Sequence, residues 1–133
     1  MSAPHRHEVR VYYEDTDAGG IVYHASYLRF AERARTEMMR AWGFDHGTLR
    51  EEQGVLFAVR RCNATFIAPA RLDDVLVVET SVKRVGGARL ILGQDVLRDG
   101  RRIAELEGEL VVLDAGLRPQ RMPEEVVERL SSL

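Results

Sequence analysis

The sequence predicts an α+β fold, one long central helix wrapped by a curved antiparallel sheet, and three observations lead there. Only Ser26 to Trp42 carries a long helical period, with Tyr27, Ala31, Ala34, Met38 and Ala41 along one face. Four β-type runs follow in succession, joined by turns too short for parallel crossovers, so the strands must be largely antiparallel. These runs extend over about 11 to 13 residues, against about 5 or 6 for an ordinary strand, and strands of that length make a sheet that twists and curves around whatever fills its inner face. The long helix is the filler at hand. With 133 residues, 45% apolar and 30% charged, the chain has material for one core, so a single domain over residues 1–133 is expected.

The first element is a short strand from Glu8 to Tyr13, with Val9, Val11 and Tyr13 facing the core and Arg10 and Tyr12 facing out. A core-facing Tyr13 hydroxyl needs a partner, which Asp17 or a water can supply. Glu14 to Gly20 packs three acids and two glycines into a turn, in which Glu14 and Asp15 read as solvated. Ser26 is placed to cap the long helix and Gly43 to end it. A shorter helix runs from Asp45 to Gln53 and stops at Gly54. The strands are Val55 to Ile67, Val75 to Val85, Ala88 to Arg98 and Arg101 to Leu113, read as one continuous meander. Asp99-Gly100, between the last two, is a favoured two-residue hairpin turn. Pro123, followed by Glu124 and Glu125, starts a last short helix with acids at its positive end. A single helix inside a highly curved antiparallel sheet is the hotdog arrangement, and the chain is about the size of one such unit.

Composition removes several classes of function. A single cysteine, Cys62, cannot form an internal disulfide, which makes a cytoplasmic setting the default. The longest stretch without a charged residue, Ala18 to Leu28, is 11 residues, short of the roughly 20 needed to span a membrane. The first ten residues carry positive charge but no apolar run follows, so no signal peptide is expected. A net charge of -2 argues against a general nucleic-acid binder. His5, His7, His24 and His46 show no metal-ligand spacing with Cys62 or one another, and no phosphate loop, nucleophile elbow or dinucleotide fingerprint is present. No metal and no cofactor are expected.

Chemistry concentrates in residues 13 to 30, where acids, glycines and a histidine lead directly into a helix start. A helix N-terminus presents N–H groups without internal partners and partial positive charge, suited to polarising a carbonyl or holding an oxyanion. Asp17 precedes that start across a loop in which Gly19 and Gly20 allow backbone to approach a ligand closely. One carboxylate as base or nucleophile, facing helix amides, is enough for acyl transfer. The same residues would also build an ordinary tight turn, and His24 would equally serve as a surface or cap histidine. Spacing leaves both readings open.

The run Glu14-Asp15-Thr16-Asp17-Ala18-Gly19-Gly20-Ile21-Val22-Tyr23-His24-Ala25-Ser26-Tyr27-Leu28 resembles the signature of the 4-hydroxybenzoyl-CoA thioesterase family of hotdog proteins. Within that family it looks most like the acyl-CoA thioesterases associated with the bacterial Tol-Pal system. The resemblance continues through Glu32 to Met38 and Ala68 to Asp74 and covers nearly the whole chain. It implies that the catalytic carboxylate is Asp17, that the backbone amide near His24 polarises the thioester carbonyl, and that Tyr13 lines the site. It further implies an acyl-CoA substrate and a homodimer, often paired into a homotetramer, with the site at the subunit interface.

The function expected is hydrolysis of an acyl-CoA to the free acid and coenzyme A. A thioester carbonyl is electrophilic and a thiolate leaves readily, so one carboxylate and preorganised amides suffice. Lys83, Arg84 and Arg89, flanking Gly86-Gly87, are candidates for the coenzyme A phosphates, although each fits a solvated turn as well. Phe57, Phe66 and Met39 are candidates for setting pocket depth. Two alternatives remain: a hydratase or dehydratase using His24 as acid-base group, and a largely non-catalytic partner of an acyl carrier protein or an envelope-lipid enzyme. Assembly is expected on separate grounds, since a helix of about 16 residues spans about 24 Å and covers only one face of so long a sheet. A strand edge remains, and natural proteins seldom leave one unpaired. An obligate homodimer follows, with the sheets abutting and the Asp17 loop close to the partner.

Overall fold

The computed structural model describes residues 4–132, apart from the His46 side chain. In chain order the elements are β1 (His5–Arg10), a 3-10 turn (Tyr13–Asp15), α1 (His24–Ala41), α2 (His46–Gln53), β2 (Leu56–Phe66), β3 (Val75–Gly86), β4 (Arg89–Arg98), β5 (Arg101–Leu113) and α3 (Glu124–Ser131). The strands form one antiparallel sheet in the order β1-β3-β4-β5-β2. Between β4 and β5 the expected hairpin is present, with positive φ at both Asp99 (52°) and Gly100 (78°), as a primed turn requires.

One face of α1 supplies Tyr27, Phe30, Ala31, Ala34, Met38 and Met39 to the core. They meet alternate sheet residues such as Leu76 and Val78 on β3, Leu90, Leu92 and Val96 on β4, and Ala104, Leu106 and Val112 on β5. A polar joint separates the two halves of this core. Gln94 donates to the Ala31 carbonyl at 2.9 Å and to the Thr80 hydroxyl at 3.0 Å, and its Oε1 accepts from Arg35 at 3.1 Å, so the buried amide is satisfied. Among the described residues no helix is long and apolar enough to cross a membrane.

Four local expectations are corrected. The first strand ends at Arg10, and Tyr13 is 82% exposed instead of facing the core, because the Tyr12 N–H is taken by the Asp15 carboxylate and the chain winds into the 3-10 turn. Asp15 itself is buried, not solvated. The long helix starts at His24, so Ser26 is not its cap but a buried first-turn residue, while Ala41 at the far end is exposed. The four long strands are not a continuous meander. Only β3, β4 and β5 are joined by tight turns; the connection through residues 67–74 carries the chain across the sheet, so β2 pairs with β5 and becomes an edge.

Candidate active site

Two backbone devices place Asp17. Asp15 is the first: its Oδ2 accepts the Tyr12 N–H at 2.9 Å, while its carbonyl accepts the Tyr23 N–H at 2.9 Å and the Ser26 hydroxyl at 3.1 Å. Those bonds dock the loop on the first turn of α1. The second is the turn from Asp17 to Gly20, closed by the Gly20 N–H on the Asp17 carbonyl at 3.0 Å, with φ of 79° at Gly20. Within it the Gly19 N–H donates to Asp17 Oδ1 at 2.8 Å. A Cβ on Gly19 would stand 3.2 Å from that oxygen, so the small residue lets the carboxylate and the backbone lie this close.

A cleft of 390 Å³ opens between this loop, the start of α1 and the end of β2, lined by Asp17, Ile21, Val22, His24, Tyr27, Phe66, Ile67, Ala68 and Pro69. The Ala68 to Arg71 turn is fastened to the loop by the Ile21–Arg71 bridge and by the Val22 N–H on the Ala70 carbonyl at 2.8 Å. Aromatic rings form much of the wall: Tyr27 lies 5.4 Å from Phe66, and His24 lies 6.2 Å from Phe66 and 4.5 Å from Tyr23. Burial pushes the Tyr27 phenol above its usual range, so it is a neutral hydroxyl at physiological pH. The N-cap residue Tyr23 makes no side-chain cap bond, and no acid occupies the first turn. The positive end of α1 is thus free of an internal counter-charge beside a cleft that holds one carboxylate. Such a cleft can seat an apolar acyl group, polarise its carbonyl and set a carboxylate against it. Among the described residues no cluster of His, Cys, Asp and Glu could hold a metal ion.

The structure brings together Asp17, His24 and Gly20, and Phe66 joins them from β2. It does not bring Tyr13 to the cleft within one chain. Lys83, Arg84 and Arg89 stand farther off, because the cleft adjoins the Val75 end of β3 and Arg84 lies about 30 Å along that strand. Lys83 pairs with Glu107 and Arg89 with Glu109, each at 3.6 Å. Phe57 and Met39 line a different cavity, of 220 Å³, beside Glu32, Arg35, Leu90 and Leu92. Burial pulls the Arg35 guanidinium below its usual range there. Tyr27 was readable only as a core residue, since helical periodicity marks the buried stripe but not the residue at its end that opens on a cleft. Ile67 was readable only as a strand end and Ala68 and Pro69 only as the turn after it, because what they face depends on the crossing after β2.

Residues 11–130 match the model of the thioesterase-like superfamily. The acyl-CoA thioesterase YbgC of Haemophilus influenzae is 45% identical over 119 residues, 89% of this chain and 88% of that protein. The crystal structure of a probable thioesterase from Bartonella henselae matches with a TM-score of 0.88 at 35% identity, covering 91% of this chain and 100% of the other. A structure of 4-hydroxybenzoyl CoA thioesterase complexed with 4-hydroxybenzoyl CoA matches with a TM-score of 0.91 at 22% identity over 97% and 99% of the two chains, a likeness of fold. The chain belongs to the thioesterase-like superfamily. That membership and the hotdog architecture agree with the resemblance carried by residues 14 to 28.

Proposed function

We propose that the protein hydrolyses acyl-CoA thioesters. The acyl group occupies the apolar cleft, the N–H groups at the start of α1 meet the thioester carbonyl, and Asp17 attacks the carbonyl carbon or takes a proton from the attacking water. On either route the C–S bond breaks and coenzyme A leaves as a thiolate that is then protonated. Direct attack by water puts its oxygen in the free acid, whereas attack by Asp17 leaves an acyl–aspartate anhydride that water cleaves, releasing the free acid and restoring the carboxylate. The observation that carries this reading is one 390 Å³, largely apolar cleft lined both by a single carboxylate, Asp17, and by His24, the first residue of an uncapped helix. YbgC of Haemophilus influenzae, an acyl-CoA thioesterase, supports it at 45% identity. A thioester on an acyl carrier protein is a second substrate form on the same chemistry, and the free, exposed thiol of Cys62 agrees with a reducing, cytoplasmic setting.

The working unit on this reading is a homodimer joined along β2. That edge is long, every residue from Val59 to Phe66 is exposed, and Val59, Phe66 and Ile67 are large apolar side chains left about half-exposed. The opposite edge, β1, is short and carries Arg6, Glu8 and Arg10 outward. Antiparallel pairing of two β2 edges sets the Ala58 end of one against the Phe66 end of the other. Arg89 aligns with Val111, and Val111 with Ala58, so this pairing carries the Lys83, Arg84 and Arg89 end of the partner's sheet toward the Asp17 cleft. The phosphates of coenzyme A would then meet cations from the second chain.

The direct test is thiol release from a panel of short-chain, long-chain and aromatic acyl-CoAs. Stoichiometric thiol and free acid from at least one class is the expected result. No thiol release across the panel, with water added to an enoyl thioester or removed from a 3-hydroxyacyl thioester instead, would assign the hydratase or dehydratase chemistry.

A further inference from the structure

We propose that Asp15, the first acid of the Asp-Thr-Asp triplet, is a positioning residue: it holds the Asp17 carboxylate against the start of α1 and takes no proton in the reaction. This rests on the catalytic reading of Asp17 given above. Asp15 is only 4% exposed, and a carboxylate is removed from water at a cost unless hydrogen bonds satisfy it. Its Oδ2 is committed to the Tyr12 N–H, which closes the 3-10 turn. Closing that turn presents the Asp15 carbonyl to α1, where it accepts from the Tyr23 N–H and the Ser26 hydroxyl. Ser26 is oriented in turn by Arg29, which donates to its Oγ at 3.0 Å and leaves the hydroxyl hydrogen for Asp15.

The chain of bonds therefore runs Arg29, Ser26, Asp15, Tyr12, and Asp17 follows two residues beyond its fixed point. The Tyr23 N–H is satisfied by the Asp15 carbonyl, so no side chain from the loop needs to cap the helix, and the N–H groups next in line stay available to the cleft. The Asp15 side chain is not part of the Asp17 cleft; it borders a separate groove beside β1, with His7, Arg10 and Arg33. Its influence on turnover must pass through geometry. A misplacement of about 1 Å in a reacting group costs about 100-fold, so loosening this anchor reaches kcat before it reaches substrate affinity.

The test compares kcat, KM and the pH profile of thiol release for the full chain and for Asp15→Ala, Asp15→Asn and Asp17→Asn, with circular dichroism and thermal melting as checks of folding. Asp15→Ala is expected to lower kcat about 10- to 100-fold with KM changed by less than about 3-fold. Asp15→Asn keeps an oxygen for the Tyr12 N–H and is expected to restore most of kcat with an unshifted pH profile. Asp15→Asn as inactive as Asp17→Asn would overturn the proposal, because the charge itself would then be in the chemistry. A folded Asp15→Ala with wild-type kcat would also overturn it. Should Asp15→Ala fail to fold, Ser26→Ala removes one bond of the same anchor; a several-fold lower kcat at constant KM is expected, and a wild-type kcat overturns the proposal. Full activity in Asp17→Asn would instead remove the catalytic reading of Asp17, a failure distinct from a wild-type Asp15→Ala beside an inactive Asp17→Asn.

Discussion

His24 offers the reaction two different things, a ring in the cleft wall and a backbone N–H at the first position of α1. If the N–H carries the oxyanion load, His24→Ala keeps it and loses only the ring's packing on Tyr23 and Phe66, so kcat falls about 3- to 10-fold. Steady-state kinetics checks this, and a loss as deep as that of an Asp17 variant would place the imidazole in the chemistry. Tyr27, in the same wall, makes a prediction about stability. Its folded-state phenol titrates above its ordinary 10.0, because burial disfavours the phenolate. The unfolded chain therefore releases that proton first, and the stabilisation, complete below pH 10, is lost as pH rises above it. Urea unfolding of Tyr27→Phe should show a shallower decline above that pH than the wild-type protein. An identical decline would mean that Tyr27 contributes nothing to it.

Between α1 and the sheet sits Phe30, the bulkiest of the fully buried side chains among the described residues and edge-on to Tyr27 at 6.0 Å. Phe30→Ala should cost about 3–5 kcal/mol of unfolding free energy, read from urea titration. A loss under about 1 kcal/mol would mean that the helix is not seated as described. What was legible in the sequence follows from the same packing. The stripe of Tyr27, Ala31, Ala34 and Met38 announced α1, and Asp99-Gly100 announced its hairpin, because each signal is local and each is enforced by burial or by positive φ. The place of β2 was not legible. Its eleven residues look like any strand, and nothing within Ala68 to Asp74 states whether the chain returns beside β2 or crosses to the far side. Asp15 was misread for a related reason: an acid next to Glu14 and Asp17 suggests solvent, and its burial depends on bonds to Tyr12, Tyr23 and Ser26 that form only when the helix start docks on the loop. That Asp17 and His24 would lie beside one another was legible because a loop and the helix it enters are adjacent in sequence, and both line one cleft. The far wall at Phe66 and Ile67 was not, because it arrives from the other end of β2.

A chain with an uncovered β2 edge should not remain alone in solution. Sedimentation is expected to give a homodimer or a larger even assembly, and Val59→Arg, which sets a charge at the proposed seam, should shift it toward monomer with loss of thiol release. A wild-type monomer with full activity would contradict the shared site. Reversing charge with Arg89→Glu should raise KM for acyl-CoA several-fold while leaving kcat within about 2-fold, if that cation meets coenzyme A across the two-fold axis. Every part of this account converges on one carboxylate. The decisive measurement is kcat for thiol release by Asp17→Asn, purified in the same assembly as the wild-type protein and on the acyl-CoA that the wild type cleaves best. The amide matches the carboxylate in shape but is neither a base nor a useful nucleophile, so a loss of about 100-fold or more with an unchanged fold is predicted. Near-normal hydrolysis by that folded variant would contradict the account.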